Sequence, residues 1–214
     1  MITLWGRRNS INVQKVLWAL DEVGQPFAHV DAGGDAGGLD DPAFRAMNPH
    51  SRVPVLRDGE VAIWESNTIV RYLCAAYAPG RLCPLEPLAR AQAEAWMDWN
   101  LATLQPAIMG LFWGFYRTPA AERDLARNRD LERQAAAAIT ALDHWLSERP
   151  FVAGVEFSMA DIPAGTLMHR YFGMDVWYPE APHIAAWRLR LQQRIAYKTH
   201  VMQPFDELFG RLAF

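Results

Sequence analysis

The sequence predicts a small α/β domain followed by an all-helical one. Strand-like and helix-like patterns alternate over the first 80 residues. The tract APGRLCPLEP at 78–87 then holds three prolines and a glycine, the composition of a linker. Beyond it, apolar residues recur only at helical spacing. The predicted boundaries are therefore 1–79 for the first domain, 80–87 for the linker and 88–214 for the helical domain. With 214 residues, 51% of them apolar, the chain buries a full core without disulfide or metal staples.

Ile2–Trp5 reads as a short strand, and Asn12–Val23 as a helix with Val13, Val16, Leu17 and Leu20 on one side. Gly24 stops that helix at its C-terminal cap. Phe27–Val30 is a second strand, DAGGDAGGLDD an irregular loop, and Pro42–Met47 one or two helical turns. Val53–Arg57 and Val61–Trp64 flank Asp58-Gly59, a hairpin signal, and Ser66 caps a helix carrying Ile69, Val70, Leu73 and Tyr77. After the linker, Leu88–Arg117 is a long helix bent near Pro106, and Ala121–Ser147 shows the three/four spacing of a core face. Ser158-Met159-Ala160-Asp161 is a capping box in its Asp form, so Asp161 serves a helix start rather than acid chemistry. Ala181–Arg194 and Lys198–Leu212 complete the helices.

The near-neutral charge, 21 Lys+Arg against 24 Asp+Glu, excludes a nucleic-acid binder, which needs a basic face to neutralise phosphates. Cys74 and Cys83 make no disulfide framework, and the six histidines show no metal-ligand spacing, so no metal is expected. A reduced cytoplasmic setting follows, without a signal peptide or a membrane span. No phosphate-cradling or dinucleotide fingerprint is present. Nine tryptophans stand out, six of them after the linker.

Four segments carry a resemblance: LWGRRNSINVQKV near the start, NPHSRVPVL at 48–56, WESNTIVRYL at 64–73 and FSMADI at 157–162. In this order and on these elements, the chain resembles the cytosolic glutathione transferases over essentially its whole length, most closely the bacterial theta-like and nu-like branches. The resemblance implies a thioredoxin-like N-terminal domain that binds glutathione and a helical domain that supplies the second-substrate pocket.

Ser10 and Asn12 sit where the first strand passes into the first helix, and either side chain suits an N-cap. The resemblance gives them another role, activation of the glutathione thiol, with Ser10 first and Asn12 second. A free thiol has a pKa of about 8.5, and lowering it to about 6.5 takes about 2.7 kcal/mol. One hydrogen bond to a charged acceptor supplies about 1.5–3 kcal/mol. The helix N-terminus adds about 0.3–1 kcal/mol. One aimed donor plus the dipole is enough.

Val53-Pro54 fits an edge-strand proline, and in the resembling family this bond is cis and turns the Val53 backbone toward the cysteinyl unit of glutathione. Ser66 is a plain cap or, with Glu65, a seat for the γ-glutamyl head, whose carboxylate suits a helix start and whose ammonium suits Glu65. The resemblance assigns the glycine carboxylate to Arg52, with His50 as the alternative donor. Asp98 is a candidate cross-subunit contact to the γ-glutamyl ammonium in a homodimer. The aromatic run at 111–117 suggests Trp113, Tyr116 and Arg117, together with His169, for the second-substrate pocket. Gly110 and Gly114 leave one helix face bare, for close packing or for a ligand.

The expected function is a detoxifying transferase that attacks a largely apolar electrophile with the glutathione thiolate. A glutathione-dependent isomerase, dehalogenase or lyase would use the same thiol site, and a non-catalytic interaction module shares the fold.

Overall fold

The computed structural model describes residues 1–212, which form two compact units. One comprises Met1–Leu85 together with Ile195–Gln203; the other comprises Glu86–Arg194 and the chain from Pro204 on. The final two residues of the predicted helical domain lie outside the described residues.

The first unit is built on a four-stranded sheet in the order β2-β1-β3-β4, from β1 (Ile2–Trp5), β2 (Phe27–Val30), β3 (Val55–Asp58) and β4 (Val61–Trp64). β1 runs parallel to β2 and antiparallel to β3, and the β3–β4 hairpin signalled by Asp58-Gly59 turns at Gly59-Glu60, with Asp58 paired to Val61. The strand expected from Val53 begins at Val55, because Val53-Pro54 is a cis peptide ahead of the ladder. Helix α1 (Ile11–Val23) buries Val13, Val16, Leu17 and Leu20 completely or nearly so, and packs beside α3 (Ser66–Tyr77). Gly24 ends α1 in the left-handed region (φ 72°), its N–H donating to the carbonyls of Leu20 and Asp21. Helix α2 (Pro42–Met47) places Phe44 in a small core with Ala32 and Val55, flanked by Trp5 and Trp64.

The helical unit opens with α4 (Pro87–Trp99), whose N-cap Glu86 accepts from the N–H groups of Leu88 and Ala89. The expected bend at Pro106 is replaced by a widened π-type turn over Asn100–Leu104, then α5 (Gln105–Leu111) and a second π turn over Phe112–Arg117. Proline clashes with the carbonyl four residues back in a regular helix, and the wider turn just before Pro106 gives its ring room. The helix expected from Ala121 starts at Leu125, capped by Asp124, and runs to Leu146 as α6. Helices α7 (Asp161–Phe172) and α8 (Pro182–Leu191) follow.

Asp161 is fully buried and acts as a hub. Its oxygens accept from Val152 N at 2.9 Å, Ser158 N at 3.0 Å and Trp187 Nε1 at 2.9 Å. Ser158 Oγ in turn accepts from Ala160 N at 3.3 Å, so the Ser158–Asp161 pair ties the entry of α7 with Ala160 in the cap position and the tryptophan as an added donor. Burial pushes the carboxyl up to about 6, against the pull of these bonds.

The predicted helix Lys198–Leu212 is corrected. Helix α9 spans Ile195–His200 and belongs to the first unit. There Tyr197 meets Trp18 edge-on at 4.8 Å and His200 Nε2 lies 2.7 Å from Asp21 Oδ2. The chain then turns, and Pro204 cannot continue a helix because it lacks the N–H.

Most of the surplus tryptophans serve as structural posts. Trp96 packs against Trp99 at 5.1 Å and Trp145 at 5.0 Å, and Trp18 and Trp187 are fully buried. The bare face at Gly110 and Gly114 is likewise a packing device. A Cβ at Gly110 would come within 2.6 Å of Leu131 Cδ2, and one at Gly114 within 2.6 Å of Asn128 Oδ1.

Three substitutions test this packing. Gly114→Ala displaces the buried Asn128, whose Nδ2 donates to the Gly114 carbonyl at 3.0 Å, and costs about 1–3 kcal/mol in urea denaturation. Gly110→Ala meets only the movable end of Leu131 and costs less. Asp161→Ala orphans three buried N–H donors and costs roughly 3–5 kcal/mol. The folded carboxyl, at about 6, holds its proton more tightly than the unfolded one, at about 3.9, so its contribution falls as pH rises from about 4 to 6. The gap between wild type and Asp161→Ala narrows over that window.

Candidate functional site

The candidate site is assembled at the starts of α1 and α3. Ser10 occupies the N-cap position of α1 with extended backbone (φ −76°, ψ 122°), and its carbonyl accepts the first helical bond from Gln14 N. Its hydroxyl makes no capping bond, so the side chain is not spent on the helix. Ser10 is half-buried at the surface of the unit.

Asn12, two residues into α1, is joined to α3 by a side-chain bond. Ser66 Oγ donates to Asn12 Oδ1 at 3.3 Å, and Lys15 Nζ donates to the same oxygen at 3.0 Å. An ammonium only donates, so the oxygen of the carboxamide is the end held inward and Nδ2 is the end left to donate elsewhere. Among the described residues Nδ2 has no partner. Ser66 is therefore the first residue of α3 and not its cap, as the sequence had suggested. Glu65 takes the cap position, without a side-chain capping bond, in a positive-φ conformation (φ 69°, ψ 114°). A glutamate held there costs about 1–3 kcal/mol, a kind of strain that clusters at functional sites. Its carboxylate is exposed.

Lys15 is fully buried. Burial pushes its ammonium down to about 7, opposed by the Glu65 carboxylate. Residue-by-residue reading passed over this lysine because it occupies a core position of an otherwise apolar helix face. The only signal was that misfit.

The cis Val53-Pro54 bond lies beside the loop that enters α1. A Cβ at Gly6 would lie 2.4 Å from Val13 Cγ2 and 3.2 Å from Val53 Cβ, so only glycine lets these segments approach. Among the described residues neither backbone polar group of Val53 takes a backbone partner. The preceding loop is tied by Asn48, a second residue the sequence reading missed. This buried side chain donates to the Arg52 carbonyl at 2.8 Å and accepts from His50 N at 3.0 Å. The Asn-Pro dipeptide at 48–49, a turn initiator, was the available signal. The Arg52 side chain is exposed, and the His50 ring meets Trp64 edge-on at 5.0 Å.

The structure thus brings together Ser10, Asn12, Glu65 and Ser66, with Val53-Pro54 alongside through Gly6 and Val13. Two helix starts, half-buried donors and an exposed carboxylate can hold a zwitterionic head group and an anion.

The remaining candidates lie in the helical unit. Asp98 is exposed on α4. Tyr116 and Arg117 are buried: Tyr116 stacks on Phe112 at 5.5 Å, and Arg117 sits 4.6 Å over the Trp113 ring with Nε donating to the Arg211 carbonyl. Trp113 remains 38% exposed and His169 half-buried, so these two keep ring surface for a ligand. Among the described residues no cluster of three or more His, Cys, Asp or Glu side chains fits a metal ion, and no helix is long and apolar enough to cross a membrane.

Comparison with known proteins identifies the family. Residues 4–81 match the family model of the glutathione S-transferase N-terminal domain, and residues 104–194 that of the C-terminal domain. Glutathione S-transferase GstB of Escherichia coli strain K12 is 41% identical over 206 residues, covering 95% of this chain and 99% of the relative. A theta class glutathione S-transferase of Xanthomonas axonopodis pv. citri, solved with glutathione bound, superposes with a TM-score of 0.90 at 45% identity, over 95% of this chain and 98% of that one. Its apo form gives a TM-score of 0.83 over 95% of this chain and 97% of that one, at 40% identity. With both domain models matched and near-complete coverage of relatives above 40% identity, the chain belongs to the glutathione S-transferase family.

Proposed function

We propose that the chain is a glutathione transferase whose thiolate is stabilised by the Ser10 hydroxyl and the Asn12 carboxamide N–H. The observation that carries this reading is the Ser66–Asn12 bond, which joins the starts of α1 and α3 and leaves Asn12 Nδ2 as the outward donor. The γ-glutamyl carboxylate is received at the start of α3, where Ser66 opens the helix, and its ammonium by Glu65. The unpaired backbone of Val53 after the tied 48–52 loop takes the cysteinyl unit like an added strand. Arg52 takes the glycine carboxylate, with His50 beside it.

The thiol proton leaves to solvent. The sulfur lone pair then forms a bond to an electrophilic carbon, and a leaving group departs or a proton adds. The accessible rings of Trp113 and His169 suit a largely apolar second substrate. The exposed acid Asp98 fits a contact to the γ-glutamyl ammonium of a partner copy in a cytoplasmic, detoxifying homodimer.

Adding glutathione to the protein should produce thiolate ultraviolet absorbance near neutral pH, and immobilised glutathione should retain the protein. Absence of both results overturns the reading. Ser10→Ala removes one charge-assisted bond, about 1.5–3 kcal/mol, and lowers kcat/KM with an activated aryl halide about 10- to 150-fold. Glu65→Gln removes head-group binding that is equal in ground and transition states. It raises KM for glutathione about tenfold and leaves kcat within about threefold.

A further inference from the structure

Lys15 is a charge in the core of the first unit to which the mechanism above gives no task. It sits three residues after Asn12, hence nearly one turn along α1 on the same side, with none of its surface exposed. Neighbours on the same helix, Val16, Leu17 and Leu20, are equally buried, so a methionine would fit the position at less cost. Desolvating an ammonium costs several kcal/mol unless its bonds repay it.

Its bond explains what it repays. A carboxamide has an accepting end and a donating end of nearly equal shape, and an asparagine in the first turn of a helix can present either outward. Turned one way, Asn12 would aim an oxygen at the glutathione sulfur and repel a thiolate. Turned the other way, it donates. Lys15 Nζ at 3.0 Å and Ser66 Oγ at 3.3 Å both lie on Oδ1. The serine hydroxyl does not decide the orientation, because it can donate or accept. The lysine decides it while it is protonated, because an ammonium can only donate.

We propose that Lys15 is a positioning residue of the thiol site, locking the Asn12 carboxamide with its N–H donors toward the glutathione sulfur while itself remaining out of contact with the tripeptide. The proposal rests on the transferase reading above. It places part of the site's polarity one layer beneath the residues that meet the substrate.

The test titrates the bound glutathione thiol by its ultraviolet absorbance in the full chain, for wild type, Lys15→Met, Asn12→Ala and the double variant. Lys15→Met should raise the apparent pKa of the bound thiol by about one, with kcat/KM falling about tenfold below that pKa. Its melting temperature should stay level or rise, since a buried charge has been removed. KM for glutathione should change less than about threefold. In the Asn12→Ala background, the lysine substitution should add nothing further. Lys15→Gln carries a donor and an acceptor, no longer dictates which end of Asn12 faces it, and should shift the thiol in the same direction. It serves if the methionine variant does not fold. Lysine variants that titrate like a wild type with a clear bound thiolate overturn the proposal and leave the transferase reading intact. A wild type with no bound thiolate overturns that reading, and the proposal with it.

Discussion

Two helix starts and a buried ammonium converge on one carboxamide oxygen, Asn12 Oδ1, and the site depends on that convergence. Each helix start carries unpaired N–H groups and the positive end of a dipole, so bringing two together beside a cation concentrates positive potential. Inside the chain, the oxygen of Asn12 and the more distant carboxylate of Glu65 answer it. Helix starts of this kind carry an electrostatic preference for an anion at the protein surface. A thiolate and an α-carboxylate are what such a preference selects.

Asp161 in the helical unit shows the same device brought to completion. It too is a polar hub at a helix start, but its oxygens are satisfied by three N–H donors and it is sealed from solvent. The hub at Asn12 is satisfied only on its inner side, and the Ser10 hydroxyl beside it is also unspent. Saturation separates a polar group that holds the fold from one that has capacity left for a ligand. Helix position and residue type alone do not, since both hubs resemble caps in the sequence.

Much of the fold was legible because local rules and tertiary packing agree there. β1, β2, α2 and β4 fall where periodicity, proline and turn chemistry place them. Agreement fails where a long-range partner decides. The hydroxyl of Ser66 is directed across to α1 rather than onto its own helix, so cap preference misassigned it by one position. The π turns around Pro106 leave the apolar pattern of a helix almost unchanged while altering its path. Gly110 and Gly114 became interpretable only when Leu131 and Asn128 were found across from them. The site's outward residues were proposed from motif order. Lys15 and Asn48, which hold those residues from behind, were signalled only by a charge at a core position and by an Asn-Pro turn.

Helix α9 gives the chain an unusual itinerary. The first unit is completed by Ile195–Gln203, where Tyr197 and His200 cover Trp18 and Asp21 of α1. During synthesis, residues 1–85 emerge long before that cover exists, and the ribosome adds residues at about 5–20 per second. For several seconds the apolar flank of α1 is therefore without its α9 cover. A contiguous fragment cut at the linker would preserve that immature state permanently. The candidate site's end of α1 and its late-covered flank belong to one helix, so a segment made more than 100 residues later steadies the element that carries Ser10 and Asn12.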